Sequence, residues 1–298
     1  MCIRDRIKKS IELKEVGNDV VSVIGGRPIH PVTSVVGGFT KFPKREEINV
    51  LISKLEKAKK LAVETFELFN SLQTLKHEFK TEFMSLFKQN EYPLLEGNIR
   101  TLSGFEFRPK DYQKHLKERV IKHSTSKHVT FRNKSFMVGP LARINIHPET
   151  LSKDARKLLK ESKLKLPSYN VYDANLARAI EVVHCIDRML EILSNLKIRN
   201  EKIVEPKAKS GEGISATEAP RGVLYHHYKI KNGRVTYVNI IPPTTQNTMN
   251  MEDTLKQLVE SLLPKFSKEK LIKEMEKLIR AYDPCFSCSA HFLEVKLL

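Results

Sequence analysis

The sequence has 298 residues, 40% hydrophobic and 29% charged, which suffices for a sizeable core and is too apolar for general disorder. No apolar run reaches the roughly 18 residues of a membrane span, and the charged start lacks a signal-peptide core. The 52 basic and 35 acidic residues leave a net charge of +17, but the lysines are dispersed and no stretch interleaves them with aromatics. The charge therefore reads as solvated surface and not as a nucleic-acid interface.

Residues 20–24 form a short β-branched run, and the glycine pairs Gly25-Gly26 and Gly37-Gly38 mark surface turns. From Arg45 the apolar period becomes 3.6, through Ile48, Leu51, Ile52, Leu55, Ala58, Leu61 and Ala62 to Leu72. This predicts a long helix, broken near Asn70-Ser71, with a further helical stretch toward Phe87. Residues 97–107 read as loop with short extended pieces, and residues 111–122 as a basic helix. Residues 129–131 and 135–138 read as a strand pair turning at 132–134.

Residues 152–164 predict a lysine-rich amphipathic helix that Pro167 ends. Residues 174–198 predict a buried helix, apolar nearly all round, with Cys185 as a small core residue. Residues 205–217 read as loop. A hairpin follows, turning at Asn232-Gly233 and returning along residues 236–241. Asn250 is expected to cap a helix over residues 251–263, and Ser267 one over residues 268–282. The fold class is α+β, mainly helical: a long-helix bundle with small antiparallel hairpins.

The chemistry concentrates in Asp283-Pro284-Cys285-Phe286-Ser287-Cys288-Ser289-Ala290-His291. A Cys-x-x-Cys spacing lets two thiolates face one metal or form a reversible disulfide. Structural zinc needs four ligands, and neither Cys2 nor Cys185 supplies a second pair at ligand spacing. A thioredoxin-like motif belongs after a strand at a helix start, whereas this one follows a long helix. Half of a metal site completed from elsewhere is the third reading. Four cysteines in a chain of this length suit a reducing compartment, taken as the cytoplasm.

This motif resembles the C-terminal signature of the large subunit of nickel–iron hydrogenases. Three further stretches resemble that family in the right order: residues 25–31 with Gly37-Gly38, Glu218-Ala219-Pro220-Arg221-Gly222, and Pro243-Thr244-Thr245-Gln246-Asn247. The form of the last motif resembles most the cytosolic, multi-subunit, sulfhydrogenase-like groups. It implies reversible heterolytic cleavage of H2, with electrons passed to an iron–sulfur small subunit, then to further electron-transfer subunits. It also implies one large-subunit domain over residues 1–298. The family's N-terminal Arg-x-Cys-Gly-x-Cys element, which supplies two more nickel ligands, is missing. The chain is therefore expected to be the C-terminal part of a longer product, inactive alone, with residues 1–6 foreign to it.

The resemblance implies particular roles. Cys285 is a terminal nickel ligand and first proton acceptor, and Cys288 bridges nickel to an iron carrying carbon monoxide and cyanide. Arg221 and Thr244 supply donors to cyanide, while Ala219, Pro220 and Pro243 form an apolar wall. Asp283 is expected to be the charge partner of Arg221 in a low-dielectric pocket. His291 and the Ile240 carbonyl ligate a separate magnesium or iron ion. His30 faces the small subunit's nearest cluster. His226 and His227 are read as structural, and Glu218 as fixing its loop. Residues 292–298 are expected to be a propeptide that a maturation endopeptidase removes after His291. Two alternatives stand beside this reading: a nickel-free respiratory-complex relative, against which the two thiols argue, and a basic nucleic-acid-binding protein, which explains the charge and none of the motifs.

Overall fold

A computed structural model describes residues 3–199, 201–207 and 209–285. In chain order the elements are α1 (Ile3–Gly25), β1 (Ser34–Val35), β2 (Gly38–Phe39), α2 (Arg45–Ser71), β3 (Glu82–Phe87), β4 (Asn98–Thr101) and β5 (Glu106–Phe107). Next come α3 (Tyr112–His115), β6 (Leu116–Arg119), β7 (His128–Phe131), β8 (Phe136–Met137), α4 (Pro140–Ile146), α5 (Lys153–Glu161) and α6 (Ala174–Asn195). The chain continues with β9 (Gly211–Ala219), β10 (Gly222–Lys231), β11 (Arg234–Ile241), α7 (Pro243–Leu262) and α8 (Lys268–Tyr282). They group into two compact units. One comprises residues 1–72, 152–162 and 179–208; the other comprises residues 73–151, 163–178 and 209–298.

In the first unit α2 buries Ile48, Leu51, Leu55, Ala58, Ala62 and Phe66, the stripe its 3.6-residue period requires. Each fully buried leucine or isoleucine there contributes roughly 1.5–3 kcal/mol of apolar transfer. Lys59 of α2 reaches Asp187 of α6 at 2.7 Å and Asp154 of α5 at 2.5 Å. Ser152 caps α5 and its Oγ donates to Asp187 at 2.6 Å. The His184 ring on α6 is buried and its Nδ1 accepts from the Ser152 backbone at 2.9 Å. Cys185 is half-buried, outside the tight core predicted for it.

The β-branched run at residues 20–24 is the last part of α1, so the first forty residues are more helical than the sequence suggested. Gly25 then turns the chain: its carbonyl accepts from Val32 and Thr33 at 2.8 and 3.2 Å. Gly37 needs glycine for two reasons. Its φ is +97°, and a Cβ there would stand 1.9 Å from the Val204 carbonyl oxygen.

Among its described residues, the second unit holds three sheets. One is β5-β4-β3-β8, with β3 antiparallel to β4 and parallel to β8; the others are β6-β7 and β11-β10-β9. Met84, Leu86, Ile99, Phe136, Val223, Tyr225 and Ile241 meet in one core. Several expectations fail here for a common reason. The stretch toward Phe87 is strand β3, whose four inner residues are all buried, so no alternation betrayed it. The basic helix at 111–122 shortens to the single turn α3 and gives way to β6, which pairs with β7 in register Leu116↔Phe131. The turn at 132–134 is present, with Arg132 and Asn133 at φ +51° and +61°. Its flanking strands nevertheless separate into different sheets.

The segment read as loop at 205–217 includes most of β9, a strand paired along β10 from Gly222↔Ala219 to Ile230↔Gly211. The Asn232-Gly233 hairpin forms as predicted, both residues at positive φ. Helix α7 starts at Pro243 rather than after Asn250, with proline at its first position, where a missing N–H costs nothing. Asn250 is buried mid-helix. It accepts from Tyr282 Oη at 2.6 Å and donates to Thr81 Oγ1 at 2.7 Å. Ser267 caps α8 through Lys270 N, as expected.

Candidate active site

The turn between β9 and β10 presents Pro220 and Arg221 at its tip, with Ala219 paired to Gly222 below. Two glycines let this tip press backbone to backbone on the entry to α4. Gly139 has φ +111° and a Cβ there would meet the Arg221 carbonyl oxygen at 2.8 Å; Gly222 has φ +133° and its Cβ would meet Val138 Cγ2 at 2.4 Å. Asn247 of α7 fixes the other side of that contact. Its Oδ1 accepts from Val138 N at 2.8 Å and its Nδ2 donates to Val138 O at 3.2 Å.

Beneath the tip lies a buried ion pair. Arg143 of α4 donates through Nη1 to Glu218 Oε2 at 2.6 Å, and the two side chains are 4% and 0% exposed. The same guanidinium donates to the carbonyls of Ala219 at 3.3 Å and Pro220 at 3.1 Å. Glu218 Oε1 accepts from Leu86 N at 2.8 Å. Glu218 therefore fixes the loop, as expected. Arg143 had no signal in the sequence: a lone arginine in an apolar turn carries no motif. Burial, with the Glu218 carboxylate beside it, pushes the Tyr225 phenol well above its ordinary range.

Arg221 turns outward to the end of α8. Its Nε donates to the Asp283 carbonyl at 2.6 Å and lies 3.2 Å from Oδ2, and Nη2 donates to Oδ1 at 3.2 Å. Asp283 adopts left-handed φ +54° and closes the helix by donating from its backbone N to Arg280 O at 3.1 Å. A second guanidinium, Arg178, lies 3.9 Å from Asp283 Oδ2. Two residues on, Cys285 N donates to Thr244 Oγ1 at 3.2 Å. The expected partnership of Arg221 and Asp283 is thus present, but their side chains are 37% and 39% exposed among the described residues, not enclosed in a dry pocket.

The structure brings Ala219, Pro220, Arg221, Pro243, Thr244, Asp283 and Cys285 onto this one group of elements. Pro243 and Thr244 are buried, Ala219 is half-buried and Pro220 is exposed. Ile240 lies on β11, paired with His226, its residue 43% exposed. His227 is structural as expected, held by Tyr112 Oη at 3.0 Å and Glu212 Oε1 at 2.7 Å. His30 belongs to the other unit. It is exposed at φ +55°, and its carbonyl accepts from Arg27 Nε at 2.5 Å. Cys288, His291 and residues 292–298 lie outside the described residues.

The donor set suits a soft metal. Cys285 offers a thiolate, the Arg221 guanidinium can oppose anionic ligands, and the segment carrying the sulfur is clamped by Arg221 on one side and Thr244 on the other.

Comparisons with known proteins agree with this reading. The family model for nickel-dependent hydrogenase matches residues 96–291. The alpha subunit of sulfhydrogenase 1 of Pyrococcus furiosus is 33% identical over 97% of this chain, which spans 68% of that protein. The alpha subunit of sulfhydrogenase 2 of the same organism is 32% identical, over 97% of this chain and 68% of its own length. A crystal structure of an NAD+-reducing [NiFe]-hydrogenase in the H2-reduced state superposes with a TM-score of 0.84 at 24% identity, covering 97% of this chain and 69% of that one. The [NiFeSe]-hydrogenase of Dm. baculatum gives 0.76 at 22% identity, over 96% and 69%. At these identities the two structures establish the fold.

Proposed function

The chain belongs to the nickel-dependent hydrogenase family, and we propose that it acts as the catalytic large subunit of a [NiFe] hydrogenase, cleaving H2 reversibly and heterolytically. When bound, a nickel–iron centre supplies the electrophile and the redox couple for that reaction. Cys285 and Cys288 are the residues of this chain that would hold it, through soft thiolates. Cys285 Sγ, a basic thiolate, would be the atom of this chain that takes the proton.

Arg221 stays cationic at any working pH. Oriented by the Asp283 carboxylate and carbonyl, it would donate to anionic ligands such as cyanide on the iron, and Thr244, already accepting from Cys285 N, would offer its hydroxyl as a second donor. His291 and the Ile240 carbonyl would hold a hard divalent ion, magnesium or iron. We place the protein in a cytoplasmic assembly with further electron-transfer subunits and an iron–sulfur small subunit, His30 facing that partner's cluster. No helix among the described residues is long and apolar enough to cross a membrane. A maturation endopeptidase removes residues 292–298.

The observation that carries this reading is the clamp on residues 283–285: one guanidinium and one hydroxyl, from separate family-like motifs, both hold the segment that ends in Cys285. The test is Arg221→Lys in the assembled enzyme, with H2 uptake and nickel content measured together. Loss of a preorganised donor lowers the turnover about 10²–10³-fold while nickel stays bound. Full turnover with nickel retained would overturn the assignment of Arg221.

A further inference from the structure

The loop joining β6 to β7 carries a group of ligands that the hydrogen chemistry does not use. His123 in that loop is hydrogen-bonded through Nε2 to Glu252 Oε1 of α7 at 3.1 Å, and Nε2 of His128, at the start of β7, lies 3.2 Å from the same oxygen. The three ligand atoms all lie within 4.8 Å of one another. We propose that His123, His128 and Glu252 form a binding site for a divalent transition metal of zinc type, which clips the β6–β7 loop to α7.

The spacing fits the chemistry. Zinc takes imidazole nitrogen and carboxylate oxygen at roughly 2.0–2.1 Å in tetrahedral geometry, which sets neighbouring ligand atoms about 3.3 Å apart. Both nitrogen–oxygen separations are close to that edge. His128 is 6% exposed, yet its Nε2 has no hydrogen-bond partner among the described residues. It sits 3.2 Å from the carboxylate without pointing an N–H along that line. A buried imidazole nitrogen left this way is costly in a metal-free cluster; a lone pair directed at a shared cation removes the cost.

The loop is also pre-positioned. Ser126 Oγ and Thr245 Oγ1 share a hydrogen bond of 2.9 Å. Thr245 and Glu252 are seven residues, about two turns, apart on one face of α7, so the loop already lies along the helix surface that bears the carboxylate. His123 is exposed, which gives the ion an entry path and leaves a fourth position to water. Two neutral imidazoles and one carboxylate leave a net positive site when a divalent ion binds, which suits an edge open to solvent.

The test uses the full chain with Cys285→Ser and Cys288→Ser, so that the thiol pair does not compete. The protein is stripped with chelator, dialysed against zinc chloride and analysed for bound metal. We expect about one zinc per chain, with His123→Ala and Glu252→Gln each weakening zinc binding by at least about tenfold. His123 is exposed, so its alanine variant keeps the fold, which circular dichroism verifies. Cobalt in place of zinc should give visible bands of nitrogen and oxygen ligation that vanish in His123→Ala. Equal zinc uptake with and without His123, or no uptake by the folded parent, overturns the site. Neither outcome bears on the hydrogen-cleaving reading, because the thiols are absent from every sample.

Discussion

Replacing Glu218 with glutamine tests whether the turn bearing Arg221 is held from below by charge. The substitution preserves shape, and the new amide oxygen can still accept from Leu86 N. What is lost is the 2.6 Å contact to Arg143 Nη1, where an amide now faces a guanidinium that is 4% exposed. Breaking a buried pair by removing one charge costs about 3–5 kcal/mol. Arg143 keeps its bonds to the Ala219 and Pro220 carbonyls, so the lower end applies, about 3 kcal/mol or roughly a hundredfold in the folding equilibrium. For a unit of this size that corresponds to a fall of about 6–12 °C in Tm.

Urea denaturation of the chain, followed by circular dichroism, measures the loss. Adding Arg143→Met to Glu218→Gln should restore only part of it, because methionine abandons the two carbonyls that the guanidinium also serves. A cost below about 1 kcal/mol for Glu218→Gln would refute the argument, since an uncompensated buried guanidinium cannot be that cheap.

Three further outcomes follow from the same structure. Gly222→Ala forces a side chain into φ +133° and onto Val138 Cγ2 at 2.4 Å; we expect a loss of about 2–4 kcal/mol in the same urea assay. Tyr282→Phe leaves Asn250 Oδ1 and Thr254 Oγ1 without the buried hydroxyl they share, a cost of about 1–3 kcal/mol that Tm measurements on the pair of proteins will show. Asp173 governs a pH response: burial raises its carboxyl above the ordinary 3.8, against the donation of Ser168 Oγ. The folded state therefore holds that proton to higher pH than the unfolded chain. This contribution to stability falls as pH rises from about 3.8 through the folded pKa and is level above it. Asp173→Asn removes that decline, which a comparison of Tm between pH 4 and 7 will reveal.

The sequence carried local periodicity faithfully. The stripe of α2, the burial of α6 through Ile186, the Asn232-Gly233 turn and the Ser267 cap were all legible, because each is set by residues close together along the chain. The strands fared worse where partners are distant. Nothing in Glu82–Phe87 distinguishes a strand buried on both faces from a buried helical turn until β4 and β8 flank it. Asn250 misled for a related reason: a polar residue ahead of an apolar stripe looks like a cap, but Tyr282 and Thr81 satisfy its amide inside the fold. At the site, the grouping of Arg221, Thr244, Asp283 and Cys285 was legible from their motifs, whereas Arg143 and the His123–His128–Glu252 cluster arise only from packing.

That division explains what Glu218-Ala219-Pro220-Arg221-Gly222 is for. Under the proposed function, what this motif gives the metal chemistry is the guanidinium of Arg221. Holding it still needs a backbone that approaches Val138-Gly139 more closely than a side chain permits, which requires Gly222 and Gly139. It also needs the carbonyls of Ala219 and Pro220 to point inward, where they must find a donor. A buried arginine can serve both at once, and only a carboxylate can balance it there, which requires Glu218. Four of the five residues thus build the mount for the fifth. A variant such as Arg143→Lys, which keeps the charge but loses the planar fork, should therefore lower hydrogen turnover by displacing Arg221 while leaving the pH profile and nickel content of the assembled enzyme unchanged. If turnover survives Arg143→Lys intact, the mount is dispensable and Arg221 is held by Asp283 alone.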